Sequence, residues 1–404
     1  MTTMTDFPVR PERTPPHILT LVALVGVSTL SMNVFLPSLP TMAEYFATDY
    51  GTMQLSVGLY LGMNAVLQLV VGPLSDRYGR RPVIMGGIAL FMLATIGCLM
   101  AETIEVFLAF RMGQAAIVTA MVLSRAVVRD LYPQDKAASM LGYVTMGMSV
   151  VPMLGPVLGG WLESLFGWQS NFWLLLAAGA AILAWTWHDL GETAPRSGGS
   201  FRDQVRDYPE LLTSQRFWGY CGASALASGT FFAYLGGSPY VGAVLFGMDP
   251  ATLGFFFGAP AAGYFLGNFV SGRYSQRLGV DRMILGGSLL QAAGLTVLMV
   301  LTLSGFSGPY LFFGFMSFLG LGNGMVIPNA TAGMLSVRPH LAGTASGLGG
   351  AMMIGGGAAL SGFAGKMLEG AATPLPLELL MVVSAYAAVV AIVLTIRRNR
   401  QLGA

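Results

Sequence analysis

The residues able to do chemistry in this 404-residue chain are few and gathered. The stretch VGPLSDRYGRRP, 71 to 82, holds Asp76, Arg77, Arg80 and Arg81 in a protein only 10% charged. Arg111, with Gln114 shortly after it, is a base flanked by apolar sequence. Tyr60, Asn64 and Gln68 recur at i, i+4 and i+8, which on a helix makes one polar stripe. Such groups can pair ions, hydrogen-bond and hold a ligand. No catalytic constellation accompanies them: His17, His188 and His340 fall outside the apolar interiors and no Cys/His spacing suits a metal. Cys98 and Cys221 read as packing residues. The chain is expected to be no enzyme and to carry neither cofactor nor metal.

Composition says what positions these groups. Hydrophobic residues make up 54% of the chain, above the roughly 45–50% of soluble domains, whose charged share is near 25%. A formal charge of +2 says little by itself; no nucleic-acid partner is expected, and the apolar composition points to lipid. Crossing about 30 Å of hydrocarbon takes roughly 20 apolar residues as a helix. Twelve runs qualify, at 18–40, 53–74, 83–101, 105–128, 138–162, 168–188, 217–243, 250–272, 283–304, 308–330, 341–363 and 377–396. Apolar residues run around each segment instead of alternating, so helices and not barrel strands are expected. The fold class is all-α membrane, with the first run retained as a span, because 23 residues exceed a signal-peptide core.

Charge orients the bundle. With the N-terminus inside, 19 of 21 Lys and Arg residues lie in cytoplasmic segments or at their helix ends, leaving only Arg111 and Lys366. The positive-inside rule then puts both termini in the cytoplasm. The polar segment 189–216 reads as a cytoplasmic linker between an N-terminal half, 18–188, and a C-terminal half, 217–396, with tails at 1–17 and 397–404. A shift of 200 residues aligns 72–87 with 272–287 at seven identical positions of sixteen, which suggests an internal duplication. Two six-helix halves joined in this way look like the parallel repeats of alternating-access transporters.

Within the spans, an arginine costs about 2.5–3.5 kcal/mol even on lenient scales, so Arg111 is expected to face a cavity, unless it snorkels to the outer headgroups. The Tyr60–Asn64–Gln68 stripe turns either to a neighbouring helix or to the same cavity. Glycines and Pro328 interrupt the tenth span, which offers Asn323 and Asn329, and Phe231, Phe232 and Tyr234 suit an aromatic wall. In the fifth span Pro152 and Pro156 bend the helix, and Gly155 and Gly159 permit close contact. Gly72 is expected to allow close approach and Gly79 to take the positive φ of a turn. Asp76 would be attracted to a helix N-terminus at the membrane face.

The loop residues Gly72, Leu74, Asp76, Arg77, Gly79, Arg80 and Arg81 resemble the G-x-L-x-D-R-x-G-R-R motif of the major facilitator superfamily. VVPMLGPVLGGW at 150–161 is similar to the motif that family associates with antiporters. FLPSLP at 35–40, SRAVVRD at 124–130, SPY at 238–240 and AGTAS at 342–346 resemble its bicyclomycin and chloramphenicol resistance (Bcr/CflA) branch.

The resemblance implies a twelve-helix bacterial inner-membrane transporter, acting as a monomer, that exports small drug-like molecules in exchange for protons. It implies a gate in which Asp76 meets the start of the eleventh helix, near Thr344 and Ser346, and Arg80 meets Asp130, with Arg77 in the same latch. Gly155 and Pro156 would shape the interface of the halves. The expected pocket residues are Asn33, Tyr60, Asn64, Arg111, Gln114, Phe231, Tyr234 and Asn323, with Arg111 and Gln114 matching the family's R-x-x-Q.

One departure bears on mechanism: the first-span acid usual in that branch is Asn33 here. The proton would then ride on Glu44 or Asp76, or on the substrate; otherwise the chain exports an organic anion or metabolite without proton coupling.

Overall fold

The computed structural model describes residues 16–131, 151, 154–193, 209, 211–338 and 342–402. The side chains of 129, 342–344 and 346 lie outside the description, as do Pro152 and most of the linker, so the expectations resting on them, including the Thr344 and Ser346 contacts, are not addressed by it.

Among the described residues, a helix lies in each of the twelve apolar runs, in their order along the chain. They are α1 (Ile18–Tyr45), α2 (Tyr50–Tyr78), α3 (Arg80–Leu99), α4 (104–131), α5 (154–166), α6 (Gln169–Asp189), α7 (Gln215–Tyr240), α8 (Pro250–Leu278), α9 (Val280–Leu303), α10 (Pro309–Val337), α11 (Ala342–Leu368) and α12 (Leu375–Gln401). Among the described residues, ten helices are long and apolar enough to cross a membrane, and the chain is a multi-pass membrane protein. An even number of crossings puts Ile18 and Gln401 at one face, the terminal face; the opposite one is the far face.

Helices α1, α4 and α7 depart from regular α geometry, the first and last of them beside prolines that remove backbone donors. Pro37 and Pro40 interrupt α1, which passes through a 3-10 turn at Leu36–Ser38 before resuming at Leu39. Each proline stands at the start of the piece that follows, where its missing N–H costs no bond. In α4 a 3-10 turn at Ala115–Ile117 follows Gln114. Pro239 precedes a π turn at Val241–Leu245 at the end of α7.

The duplication is visible in local chemistry. Asp49 caps α2 by accepting from the N–H and hydroxyl of Thr52, both at 2.7 Å. Asp249, 200 positions on, caps α8 by accepting from Ala251 and Thr252 N–H at 3.1 and 3.0 Å. These hydrogen bonds hold both carboxyls below the usual aspartate pKa. Gly79 and Gly279 occupy the α2–α3 and α8–α9 turns at φ +97° and +83°, a region that favours glycine. Thr20 of α1 donates to Asp189 at the end of α6; its counterpart Tyr220 of α7 accepts from Asn399 of α12 at 2.9 Å. First and last helices of each half are thus tied at the terminal face.

The halves meet through α2 against α11, and through α1 and α5 against α8. One apolar core runs through the N-terminal half and across to the far-face part of the C-terminal half. A second core, built around Phe217, Ile284, Val326 and Ile392, fills the terminal-face part of the C-terminal half by itself. The far face is therefore sealed by packing between the halves, while the C-terminal half has its own core at the terminal face.

Candidate functional site

Arg111 lies at the far-face end of α4, three residues before Gln114 and the 3-10 turn, and is completely buried. Its Nη1 donates to Gln114 Oε1 at 2.5 Å, its Nη2 to the Ser31 carbonyl of α1 at 2.8 Å and its Nε to the Ser56 carbonyl of α2 at 3.3 Å. The guanidinium sits 4.2 Å from the Phe35 ring centre and 4.1 Å from that of Tyr60. Gln114 in turn donates to Thr95 of α3 at 2.8 Å. Arg111 thus joins α1, α2, α3 and α4 with no acid in ion-pair range among the described residues. The burial rules out snorkelling: carbonyl dipoles and ring faces take the place of water around the cation.

Tyr60, Arg111 and Gln114 are therefore brought together, as is the rest of the stripe, where Gln68 donates to Asn64 Oδ1 at 2.8 Å. Gln68 also lies beside Gly350 of α11, so this stripe turns toward the interface of the halves. Asn33 is buried apart from them. Its Nδ2 donates to the Thr29 carbonyl at 3.0 Å, its Oδ1 has no hydrogen-bond partner, and its Cβ faces Gly155 of α5. In the other half Phe231 and Tyr234 stack at 6.4 Å, and Tyr234 packs on Phe257 and Phe313 at 5.4 and 6.3 Å. Asn323 of α10 is buried with Oδ1 unpartnered.

The far-face seal is built from close backbone contacts. Gly159 of α5 faces the Val34 carbonyl, Gly160 faces the Pro250 carbonyl, and the Pro156 carbonyl faces Gly254 of α8. Tyr50 donates to the Gly236 carbonyl at 2.6 Å, and Gln54 donates to Ser361 Oγ at 2.8 Å. Side chains at these glycines would keep the helices apart.

At the terminal face, Arg80 is the centre of the charged turn. It lies 2.6 Å from Asp76 and 3.1 Å from Asp130, and also donates to Ser75. Arg77 points outward over Tyr78 and joins none of these contacts. Gly72 departs from expectation, since a Cβ there would meet open space; it is Gly79 that the turn requires.

Sequence reading missed Glu192, which accepts from the N–H groups of Arg80 and Arg81 at 2.8 and 3.3 Å and so neutralises the start of α3. It also missed that Glu163 and Glu378 are buried. Both stand at helix ends in the sequence, where an acid ordinarily meets water, and no local signal separates them from Glu44, which is exposed.

Two pseudo-symmetric bundles, sealed at one face and carrying buried polar and aromatic groups behind the seal, define a membrane transporter. The model of the Major Facilitator Superfamily matches residues 21–362, and the chain belongs to that family. It is 32% identical to Multidrug resistance protein D of Escherichia coli (strain K12), over 86% of this chain and 88% of the relative. With the Chloramphenicol resistance protein of Pseudomonas aeruginosa it shares 30% identity over 79% and 76% of the two chains. With the Bicyclomycin resistance protein homolog of Haemophilus influenzae it shares 25% over 89% and 91%. These relatives agree with the branch that the short motifs resemble. The crystal structure of a D-xylose–proton symporter superposes with a TM-score of 0.74 at 15% identity, covering 94% of this chain and 96% of that one, which bears on the fold alone.

Proposed function

We propose that the chain is a secondary active exporter of small amphiphilic drug-like compounds, of phenicol or bicyclomycin type, driven by exchange for protons. The observation that carries this reading is similarity to drug-resistance proteins along most of the chain. The positive-inside distribution supports a bacterial inner membrane with the terminal face cytoplasmic, both chain ends inside and the far face outer. We take the functional unit to be one chain, divided at the 189–216 linker.

In this arrangement the outer end is shut. Cargo enters from the cytoplasm between the halves, meeting Phe231 and the aromatic group around Tyr234 on one side and Asn64 on the other, with Asn323 behind. Arg111, Gln114, Tyr60 and Asn33 are sealed in this state, so they meet cargo only when α1 and α2 shift relative to α4 and α5. The Asp76–Arg80–Asp130 cluster, with Arg77 beside it, lies wholly on the N-terminal half and is formed while the inner end is open. It serves as that half's side of an inner latch that engages the C-terminal half only when the inner end closes; Gly155 and Pro156 act as the hinge side of the outer seal. The rival reading, an organic-anion exporter relying on Arg111, has less support, because carbonyls, an amide and two rings already surround that guanidinium.

The test is proton movement in everted vesicles with an imposed acid interior, to which chloramphenicol is added. Dissipation of the gradient by vesicles containing the protein, and not by empty ones, is expected. Drug uptake with an undisturbed gradient would remove the proton from the mechanism.

A further inference from the structure

Resting on the antiport reading, the exchanged proton needs an acceptor other than the acids that the sequence offered. Glu44 is exposed and Asp76 is paired with Arg80. Two other carboxyls are buried, and they differ in surroundings. Glu378 stands in the first turn of α12, where the helix dipole favours an anion, and accepts from Thr302 at 2.9 Å. Glu163, 6% exposed near the outer end of α5, has no helix N-terminus beside it, and among the described residues its carboxyl is faced only by neutral hydroxyls.

The place of Glu163 is more telling than its burial. It lies one turn beyond Gly159 and Gly160, where α5 touches α1 and α8 to form the outer seal. Ser38 and Thr41, in and just after the broken stretch of α1, face it. Ser38 already accepts from Asn171 of α6 at 2.9 Å, and the Oδ1 of that amide and the Nε1 of neighbouring Trp168 are buried without partners. Among the described residues no cation approaches: charged groups of the adjoining outer ends are the exposed Glu44 of α1, Asp249 at the head of α8, and Glu102 and Glu105 near the start of α4, all acids. The outer-face base, Lys366 of α11, is exposed. An unpaired carboxylate is costly to bury, and the donors around this one, the Ser38 and Thr41 hydroxyls and the Trp168 indole N–H, are neutral and leave its charge uncompensated, whereas a proton removes it.

We propose that Glu163 is the residue that takes up the exchanged proton: its carboxylate accepts a proton from an outer hydronium when α1 and α5 part, leaving water, and the neutral acid lets the outer seal close. On the cytoplasmic-facing side of the cycle the O–H bond breaks and the proton passes to water along the buried polar side of α1, where Asn33 and Thr29 lie. The acid absent from the first span is thereby replaced from the fifth, against the same segment of α1.

The experiment uses the full chain in proteoliposomes and compares wild type, Glu163→Gln and Glu163→Asp for chloramphenicol-evoked proton flux and for chloramphenicol counterflow. Glu163→Gln should retain counterflow and lose evoked proton flux to the level of empty liposomes, and Glu163→Asp should keep both, with its flux shifted in pH. Wild-type flux in Glu163→Gln overturns the assignment. Loss of counterflow in both variants alike marks a packing role and also overturns it. Absence of evoked flux in wild type overturns the antiport reading itself, and this proposal with it.

Discussion

Arg111 lies 4.1 Å from the centre of the Tyr60 ring, with its three kinds of guanidinium nitrogen each donating to a different helix or turn of the N-terminal half. A cation isolated from acid is thus made a structural hub. Replacing Arg111 by Ala should abolish transport and also destabilise the protein, because the Ser31 and Ser56 carbonyls and Gln114 lose their donor at about 1–3 kcal/mol each. Arg111→Lys should recover part of the stability and little transport, since an ammonium cannot reproduce the planar fork between two rings. Thermal unfolding in detergent and drug efflux read the two effects separately.

Tyr60 contributes its ring face and not its hydroxyl, which has no hydrogen-bond partner. Tyr60→Phe removes a buried hydroxyl without a partner, so it should leave stability unchanged or raise it, by at most about 1–3 kcal/mol. Tyr60→Leu, which removes the π face, should cost about 0.5–2 kcal/mol, visible as a lowered melting temperature.

Glycine positions should divide sharply. Gly159→Ala or Gly160→Ala would drive a methyl into a backbone carbonyl of α1 or α8, so the outer seal should fail to close and transport should be lost. Gly72→Ala, which meets open space, should transport as wild type. Outer-side accessibility of an engineered cysteine in α8 distinguishes the two groups.

Arg80 joins Asp76 to Asp130 at a partly exposed site, where such pairs are worth at most about 1 kcal/mol. Arg80→Ala should therefore leave the melting temperature nearly unchanged while impairing efflux. A large loss of stability would mark the cluster as a scaffold.

The duplicated caps should respond to acid. Asp49 and Asp249 have carboxyl pKa values lowered by their hydrogen bonds, so their contribution is complete above the unfolded aspartate value of about 3.9 and lost as pH falls through the lower folded value. The Asp49→Asn, Asp249→Asn double variant keeps an acceptor at each cap and should be less stable at neutral pH, with a smaller further loss on acidification. Unfolding midpoints measured from neutral pH to below 4, roughly, test this.

Hydropathy and charge along the chain were enough for twelve helices, their two halves and the repeat, because lipid forces each apolar run into a self-satisfied helix whatever its neighbours are. The tight turn at Gly79 was legible for a similar reason, a local conformation that favours one residue type. The surroundings of Arg111 were only half legible: its depth marked it as costly, but the carbonyls of Ser31 and Ser56 that satisfy it come from α1 and α2, far off in sequence. Glu163, Glu378 and Glu192 were not legible at all. Glu163 and Glu378 are ordinary helix-end acids in the sequence and Glu192 an ordinary linker acid, and whether each meets water, a hydroxyl or a helix N-terminus depends on which other helix end lies against it. Tertiary packing alone decides that, because desolvation and hydrogen bonding act between groups brought together in space.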